Sequence, residues 1–563
     1  MSYKDWWKSV GKKYWSLGDD KPATDDQQEI IYKICQAILK GRKNIILNLG
    51  VGFGKSAIAK TLCNMKESSY ILTNNVALQK QYSNDFDDIA LLMGRGKYPC
   101  HEWDKDCSHC YMAHIEYTED IPEKLRYLNA SPTWKFPENM SEWAWENYLE
   151  NTIRKLKMWK CNDCPYTLAV REAMNTDCTV CNYHSLYFNS NVINRFGSRD
   201  LIVFDEGHYF EEILCQINTA TLKSKSVLKK YGIDILEHNE GDNIYSRDYW
   251  IQIINQILFK IEDTKTEVLG DLQGIVSDAD YMKTLKEFNE DIQYWEHMRD
   301  NIIKMKCACT IQEGHIVLEP VYGKPFTNEL NDLGDIRIFM SGTFPRKNTL
   351  ARWFGLKLSE TEIITKYPDF PVENRPVICD YVGRVKGGPK HISSWKNDKM
   401  ESKLIEIANN HVDENGVVHC TSNLQAEYIC DVLDDEGFMT YPCYDGNYLD
   451  MTKQELIDEF IEDGGILVGG NIKEGLDLKG DICTFQVLFK VPYPAHPKGG
   501  RIDERMAFEQ YHYTFHTASL IEQAYGRGIR SPTDKCSFYV LDACFKDLLK
   551  KNCFSDYFME AIQ

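Results

Sequence analysis

A glycine-rich stretch near the N-terminus constrains this chain more than any other part of its sequence. Residues 48–56 read Asn-Leu-Gly-Val-Gly-Phe-Gly-Lys-Ser, after the apolar run 45–47 and before the helix-like segment 57–62. A strand, a glycine loop and a helix in this order are typical of a phosphate-binding loop, because backbone N–H groups of the loop converge on phosphate oxygens. The start of the helix adds partial positive charge. This context disfavours the alternative, a glycine-rich turn with a chance Lys-Ser pair.

The residues of this loop have distinct expected roles. We expect Lys55 to reach the β- and γ-phosphates of a nucleotide and Ser56 to bind Mg²⁺. Three glycines should let the backbone approach the phosphates: Gly50, Gly52 and Gly54. Leu49 stands where such loops usually have glycine or alanine. We interpret it as tolerated variation, because the Gly-Lys-Ser core is intact.

Two features before the loop each have two interpretations. Residues 27–39 are predicted to be a helix with isoleucines on one face. Gln27, at its start, can hydrogen-bond the edge of an adenine base, or it can be an ordinary surface glutamine. Residues 1–25 are aromatic and basic, which favours either a helix packed on the first domain or a contact with nucleic acid.

A second strong signal lies at residues 201–208, Leu-Ile-Val-Phe-Asp-Glu-Gly-His. The four apolar residues predict a buried strand whose end delivers two carboxylates. Asp205 can hold Mg²⁺, directly or through water, and Glu206 can orient and deprotonate an attacking water. Together with the upstream loop, this pair predicts a nucleoside triphosphate hydrolase.

Cysteines cluster in residues 94–166, where the rhythm of strands and helices is interrupted. They lie at Cys100, Cys107, Cys110, Cys161 and Cys164, and four of them form two C-x-x-C pairs. Such pairs let two thiolates converge on one metal centre, and their spacing alone favours zinc. An iron–sulfur cluster also uses four thiolates, so spacing leaves both open. Cys178 and Cys181 are interpreted as strand residues, because their surroundings are strand-like.

The middle of the chain is predicted to be mainly helical. Residues 209–310 carry apolar stripes at helical spacing, and residues 311–321 read as a hairpin with Glu313-Gly314 at its turn. After the strand-like residues 336–340, Ser341-Gly342-Thr343 forms either a sensor of the nucleotide state or a plain turn.

A second α/β unit is predicted from about residue 351 onward. It contains strand-like runs at 416–422 and 465–470, then Glu-Gly-Leu-Asp at 474–477 and Gln-Ala-Tyr-Gly-Arg-Gly-Ile-Arg at 523–530. We predict that Arg527 and Arg530 share one face of a helix. Two arginines there can reach γ-phosphate oxygens from a facing domain, as arginine fingers do. A surface salt-bridge pair is the alternative, which the neighbouring glycines disfavour.

Bulk properties limit the class of protein. The 563 residues suggest three or four domains, and no apolar run approaches the length of a membrane span. No signal-peptide core precedes the first domain, so we expect an intracellular, cytoplasmic protein that contacts no membrane. The net charge of −19 argues against a polyanion held by bulk charge, so a nucleic-acid site must be a local groove.

The ordered set of motifs resembles superfamily 2 helicases, and specifically the XPD/DinG family of DNA helicases. The resemblance covers residues 24–545 and includes family-specific segments. These are Gly-Arg-Gly-Lys-Tyr-Pro-Cys at 94–100, Cys-Pro-Tyr at 164–166 and Asn-Tyr-His at 182–184. Departures are Gly207 and Gly342, where the family usually has alanine.

The resemblance implies an architecture and a set of functional residues. It implies two RecA-like parallel-sheet motor domains, an α/β fold, with a cysteine-rich iron–sulfur insertion and a helical Arch-like insertion. The implied [4Fe–4S] ligands are Cys100, Cys107, Cys110 and Cys164, with Cys161 as an alternate, and zinc is the less favoured metal. The implied catalytic residues are Lys55, Asp205, Glu206, Gln523, Arg527 and Arg530. Gly475 and Asp477 are implied to bind nucleotide.

From these features we expect an ATP-dependent helicase that moves on single-stranded DNA, 5′→3′ by the resemblance. ATP and Mg²⁺ are the expected cofactors, and DNA duplexes or forks the expected partners. The alternative is a DNA-stimulated translocase that unwinds weakly. The expected domains are motor domain 1 in three pieces, the cysteine-rich domain, the Arch-like domain and motor domain 2. Their boundaries are 1–93, 167–208 and 321–350 for motor domain 1, then 94–166, 209–320 and 351–563 for the others.

Overall fold

The structure is a computed structural model. It describes residues 1–50, 52–99, 164–192, 195–235, 246–272, 278–443, 453–470, 478, 480–496 and 498–563. Four predicted cluster cysteines (Cys100, Cys107, Cys110 and Cys161) and the predicted nucleotide contacts Gly475 and Asp477 lie outside these residues.

The described strands, numbered along the chain, form three sheets. Their bounds are β1 Asn44–Leu49, β2 Ser69–Thr73, β3 Ala90–Leu92, β4 Cys178–Asn182, β5 Arg199–Asp205, β6 Ala220–Lys223, β7 Cys307–Gln312, β8 His315–Pro320, β9 Gly334–Ser341, β10 Thr361–Lys366, β11 Val377–Ile378, β12 Gly416–His419, β13 Thr440–Cys443, β14 Ile466–Gly469, β15 Phe485–Leu488 and β16 Ser537–Val540.

The described helices connect and cover these strands. Their bounds are α1 Tyr3–Ser9, α2 Asp25–Leu39, α3 Lys55–Asn64, α4 Val76–Asp85, α5 Pro165–Asn175, α6 Tyr183–Tyr187, α7 Phe210–Ile217, α8 Ser224–Tyr231, α9 Arg247–Leu272, α10 Asp278–Lys304, α11 Asn328–Asn331, α12 Lys347–Trp353, α13 Asp398–Asn410, α14 Asn423–Asp434, α15 Lys453–Asp463, α16 Arg501–Met506, α17 Gln510–Tyr525, α18 Phe545–Leu549 and α19 Asp556–Met559.

The first sheet is parallel throughout, with the order β10-β1-β9-β5-β2-β4-β3 among the described strands. The inner strands β1, β2 and β5 are buried on both faces over most of their length, which explains their continuous apolar runs. The predicted strands at 45–47, 201–204 and 336–340 are confirmed. The boundary expected at residue 350 is too early, because β10 pairs with β1 and extends this unit to Lys366. We call this sheet and its helices the first lobe.

The second sheet is also parallel, with the order β11-β16-β15-β12-β14-β13 among the described strands. We call this unit the second lobe. Helix α17 belongs to both lobes. Phe515, in its first half, packs in the core of the first lobe, whereas Ala518 and Ile521 pack in that of the second. The two parallel-sheet units that the resemblance implies are therefore present.

The segment between β5 and β9 contains a helical unit, formed around α9 and α10, whose core is continuous with that of the first lobe. Helices α9 and α10 pack against each other, and Trp250, Ile254 and Ile257 are buried on one face of α9. The predicted hairpin is confirmed as β7 and β8, whose turn residues Glu313 and Gly314 have φ of 51° and 76°. With β6 these strands make a small antiparallel sheet at the base of the helices.

The N-terminal aromatic segment packs on the first lobe. Helix α1 contacts α2, and Trp7 lies in the same core as Ile34 of α2. Trp7 also makes an edge contact with Trp15 at 5.9 Å between ring centroids. Of the two interpretations of residues 1–25, these contacts support packing.

Candidate nucleotide-binding and hydrolysis site

A cavity of about 730 Å³ lies between the carboxyl end of the first sheet and a part of the second lobe formed by the end of α17, the loop before β16 and residues 555–558. Parallel strands of an open α/β sheet bring their carboxyl ends to one edge, which is where such folds bind ligands. Both lobes contribute to its wall. The predicted residues that line it are Gly50, Gly52, Gly54, Lys55, Ser56, Asp205, Glu206, Gln523, Arg527 and Arg530. Residues separated by more than 400 positions therefore face one space.

The glycine loop is held from two sides. Gly52 and Gly54 have φ of 87° and 64°, a backbone conformation that glycine adopts without strain. A Cβ at Gly52 would lie 2.7 Å from the carbonyl oxygen of Arg530 in the second lobe. A Cβ at Gly54 would lie 2.8 Å from Nε2 of Gln27. Any side chain at these positions would therefore push the loop off its supports.

Gln27 supports this loop from outside the cavity. Its Oε1 accepts a hydrogen bond from the backbone N–H of Thr24 at 2.9 Å, which completes a capping box at the start of α2. Its Nε2 donates to the carbonyl oxygen of Phe53 at 3.0 Å. Gln27 is not among the residues that line the cavity. Its contact with adenine stays a prediction.

Leu49 is accommodated because it points away from the cavity. Its side chain is fully buried in the apolar core beneath the loop. The carbonyl oxygen of Leu49 lies 3.5 Å from Nζ of Lys55, which folds back over the loop. The position therefore requires an apolar residue that fits the core, and not glycine in particular.

Asp205 ends β5 and is held at both carboxylate oxygens. Oδ1 accepts from the backbone N–H of Glu206 at 3.0 Å, and Oδ2 accepts from the hydroxyl of Tyr82 at 2.9 Å. Burial, with the nearby charge of Glu206, raises the pKa of Asp205 to about 6, while Lys55 opposes this rise. A buried carboxylate beside the hydroxyl of Ser56 is a hard-oxygen donor set that fits Mg²⁺. The charge of a cation would offset the cost of burying this carboxylate.

Glu206 is held in its ionised form. Burial alone would raise its pKa, but the hydrogen bond of His208, together with the charges of Lys55 and Arg527, lowers it below its usual range. Its Oε2 lies 3.3 Å from Nδ1 of His208. The backbone of Glu206 has a φ of 50°, a strained value for a residue other than glycine, at the turn that follows β5. Such a group is suited to accept a hydrogen bond from water and so to orient it.

His208 joins the first lobe to the second. Its Nδ1 lies 2.7 Å from Oγ of Ser341, and its Nε2 lies 2.8 Å from Nε2 of Gln523 on α17. Because the amide of Gln523 donates, the proton of the ring is on Nδ1. A second link joins Oγ1 of Thr343 and Oγ of Ser519 at 2.6 Å. The carboxylate of Glu206 is thus connected to α17 through one imidazole ring.

The Ser-Gly-Thr segment forms the serine turn that was one of its two interpretations, and its role as a sensor of the nucleotide state stays a prediction. The backbone N–H of Thr343 donates to Oγ of Ser341 at 3.2 Å, which is a local serine turn. The same two side chains face His208 and α17, respectively. The turn therefore presents two hydroxyls to the interface between the lobes.

The prediction that Arg527 and Arg530 share a helix face is wrong. Helix α17 ends at Tyr525, and the glycines at 526 and 528 break it. A Cβ at Gly528 would lie 2.4 Å from Sγ of Cys536, so only glycine fits there. The N–H of Arg530 instead joins a turn closed by Oδ2 of Asp534 at 2.7 Å. Both arginines still line the cavity, because the loop turns back toward it.

Family models match two parts of this chain. Residues 20–231 match the type III restriction enzyme res subunit, and residues 405–561 match the helicase C-terminal domain. Among curated proteins, none matches the sequence.

Solved structures match nearly the whole chain. An XPD helicase aligns with a TM-score of 0.54 at 16% identity, over 95% of this chain and 99% of its own. Xpd4 of S. tokodaii aligns with a TM-score of 0.52 at 16% identity, over 96% and 99%. This chain has the XPD helicase fold. At this identity the likeness shows the fold, and it confirms the resemblance to XPD/DinG-like superfamily 2 helicases at that level.

The two departures from the usual XPD/DinG motifs differ in their consequences. A Cβ at Gly342 would meet only the carbonyl oxygen of Leu49, at an ordinary 3.6 Å. A Cβ at Gly207 would lie 3.2 Å from Cβ of Phe339, so the neighbouring strand would have to shift. Alanine is therefore expected to fit at 342 but to be crowded at 207.

The XPD-like fold places one predicted cluster ligand in the described part of the chain. Cys164 precedes α5 and is buried, and Tyr166 and Tyr98 pack beside it in one core. Within the described residues, no group of three or more potential metal ligands comes together. Cys178 and Cys181 are buried residues of β4, as predicted.

Sequence reasoning missed two residues and one contact of this site in the XPD-like fold. Tyr82, Ser519 and the link from His208 to Gln523 depend on packing between distant elements. Tyr82 directly follows a stretch of polar residues in α4, but its spacing carries no signal. Its contact is visible only once α4 packs beside the end of β5.

Proposed function

We propose that this protein is an ATP-dependent DNA helicase that translocates on single-stranded DNA in the 5′→3′ direction and unwinds duplex or hybrid substrates. The observation that supports this most is the cavity whose wall combines the Lys55 loop and the Asp-Glu pair of one lobe with Arg527 and Arg530 of the other. Catalysis by groups from both lobes would require the lobes to close on the nucleotide.

Each residue of the cavity would have a distinct role in ATP hydrolysis. Lys55 and the loop N–H groups would hold the β- and γ-phosphates, and Ser56 and Asp205 would hold Mg²⁺. The ion would supply positive charge to the phosphate oxygens when bound. Glu206 would orient the attacking water, and Arg527 and Arg530 would stabilise the negative charge that develops in the transition state. Gly475 and Asp477 remain predicted nucleotide contacts.

The coupling between hydrolysis and movement would pass through α17. The pair His208–Gln523 and the pair Thr343–Ser519 join that helix to the water-orienting Glu206. A change at the phosphates would alter these bonds and so the separation of the lobes. Each DNA step costs about 1.4 kcal/mol on average to unstack, so unwinding requires this cycle to be directional.

The cysteine-rich segment is proposed to hold a [4Fe–4S] cluster. Its ligands would be Cys100, Cys107, Cys110 and Cys164, with Cys161 as the alternate fourth ligand. Iron and sulfide analysis of anaerobically purified protein would test this, and one zinc per chain without iron would contradict it.

The remaining proposals concern partners and location. A DNA fork or tailed duplex is the proposed substrate, and the cytoplasm the proposed compartment. Among the described helices, none combines the length and the hydropathy that a membrane crossing needs.

Strand displacement is the experiment that tests the helicase proposal. Duplexes with only a 5′ tail or only a 3′ tail would be incubated with ATP and anaerobically purified protein. Unwinding from the 5′ tail alone is expected. Unwinding from the 3′ tail alone would contradict the proposed polarity, and strong DNA-stimulated ATP hydrolysis without unwinding would favour the alternative, a translocase.

Lys55→Ala is the inactive variant for this experiment, and Lys43→Ala is its matched control. Lys55→Ala should abolish ATP hydrolysis and unwinding and leave DNA binding measurable. Lys43→Ala removes an exposed lysine at the opposite end of β1 and should change none of these. DNA-stimulated turnover in the Lys55→Ala variant would contradict the assignment of the site.

A further inference from the structure

Tyr82 is a completely buried tyrosine of α4 that reaches the catalytic site. None of its surface is exposed, and its ring packs in the apolar core of the first lobe, 6.1 Å from the ring of Phe86. A buried phenol hydroxyl requires partners, because an unsatisfied hydroxyl in an apolar core is costly. The partners of this hydroxyl identify what the residue does.

The hydroxyl of Tyr82 contacts one of the side chains proposed to hold Mg²⁺ and lies near the other. It donates to Oδ2 of Asp205 at 2.9 Å. Burial raises the pKa of Tyr82, as does the charge of Asp205, while the nearby Ser56 side chain lowers it. The phenol therefore lies where the first residues of α3 approach the end of β5.

We propose that Tyr82 is a positioning residue that orients the carboxylate of Asp205 for binding of the magnesium–nucleotide complex. This inference rests on the proposed function. Glu206 holds Oδ1 of Asp205 through its backbone N–H, and Tyr82 holds Oδ2. With both oxygens held, the carboxylate cannot rotate about its terminal bond. The free lone pairs of the two oxygens then keep a constant direction toward the cavity.

A second tyrosine shows what is specific to Tyr82. Tyr183 also donates to Asp205, but to its main-chain carbonyl oxygen, at 3.2 Å. It can hold the end of the strand and not the orientation of the carboxylate. Tyr70 is buried nearly as completely in the same lobe, and its hydroxyl donates to the carbonyl oxygen of Gly197 at 2.9 Å. Tyr70 therefore offers a matched control for the loss of a buried hydroxyl.

The test compares nucleotide binding with and without Mg²⁺. Affinity for ADP would be measured by calorimetry in excess Mg²⁺ and again in EDTA, for the wild type, Tyr82→Phe and Tyr70→Phe. Removing a residue that orients metal ligands typically costs about 10- to 100-fold in metal affinity or activity. We expect Tyr82→Phe to lose affinity for ADP by a factor in this range in Mg²⁺ and by less than about 2-fold in EDTA. Tyr70→Phe should match the wild type in both.

The outcomes separate this inference from the proposed function. If Mg²⁺ increases the affinity for ADP equally in Tyr82→Phe and in the wild type, the role of Tyr82 is contradicted and the proposed function is not affected. A wild type that binds no nucleotide under either condition would overturn the proposed function. If thermal melting shows that Tyr82→Phe does not fold, 3-fluorotyrosine at position 82 replaces it. That residue keeps the ring and is a stronger donor, so Mg²⁺-dependent affinity should change, and an unchanged affinity would contradict the role.

Discussion

The two lobes meet at two places that are built in opposite ways. At the cleft, they meet across a cavity through neutral hydrogen bonds, such as that between His208 and Gln523. At the second place, buried charges join α7 and α16 directly. We call this second place the arginine junction, and it comprises Glu211, Glu212, Arg501, Arg505 and Glu509.

The centre of the arginine junction, around Arg505, is closed to solvent, while Glu212 at its edge is partly exposed. Arg505 is 1% exposed and donates to Glu211 and Glu509, each at 3.0 Å. Its guanidinium lies between the rings of Tyr322 and Trp353, 4.9 and 4.8 Å from their centroids. Glu211 accepts a further bond from the backbone N–H of Gly323 at the base of the helical unit. The junction thus joins three parts of the molecule.

The two contacts between the lobes differ in how easily they can be broken. Bonds in the cleft face a cavity, so a ligand or water can replace them at little cost. Charges at the junction cannot separate without being left unpaired in a dry environment, which is strongly unfavourable. We therefore expect the lobes to open at the cleft and to stay joined at the junction.

Arg527→Ala should have the largest effect and should act on catalysis alone. Loss of an arginine finger lowers the rate about 10³- to 10⁵-fold. Because the side chain faces the cavity, the free energy of unfolding should change little. ATP turnover and chemical denaturation of the same variant would measure both. Arg384→Ala, which removes an exposed arginine of the second lobe, is the control. A large loss of stability with normal turnover would contradict the assignment.

Arg505→Met should have the opposite effect, because it should lower stability rather than act on catalysis. It leaves Glu211 buried without its partner, and breaking a buried pair in this way costs about 3–5 kcal/mol of stability. Denaturant unfolding would measure the loss. Adding Glu211→Gln to the same chain should recover part of it, since the orphaned charge is then removed. An Arg505→Met variant as stable as the wild type would show that the junction is not structural.

Gln523→Ala should weaken the cleft contact by a smaller amount. A neutral hydrogen bond is worth about 0.5–1.5 kcal/mol, so we expect about a 2- to 10-fold loss of DNA-stimulated ATP turnover. The expected loss should be larger with DNA than without it, because the bond couples the lobes. Equal losses in both conditions would mean that Gln523 acts on hydrolysis and not on coupling.

The smallest effect is expected from a carboxyl group in the wall of the cleft. Burial raises the pKa of Glu522 to about 7, and its side chain accepts a bond from the N–H of Ser555. The folded protein then binds a proton that the unfolded chain has released, so this group costs stability as the pH rises from about 4.5 to 7.

Glu522→Gln keeps the acceptor and removes this cost. Its free energy of unfolding, relative to the wild type, should therefore increase between pH 5 and pH 8. Glu427→Gln, at an exposed position of α14, should show no such trend. A flat difference across this range for Glu522→Gln would contradict the raised pKa.

Much of the fold and part of the site could be predicted from short segments. Strand β1, the loop and α3 follow one another in the chain, so their structure depends on local residues. The same holds for β5 with Asp205 and for the hairpin of β7 and β8. The helix predicted through Arg530 failed because Gly526 and Gly528 are tolerated in a helix pattern but stop a real helix where a tight turn is available.

The sequence by itself determined which chemical groups this protein has and the elements that carry them. Periodicity and turn residues set those elements, because they depend on neighbours a few positions apart. The tertiary structure alone decided that Gln27 supports the loop, that β10 completes the first sheet, and that Tyr82 reaches Asp205. These contacts join residues that are 26 to more than 300 positions apart. Their energies depend on burial and on the packing of whole elements, which no local pattern encodes.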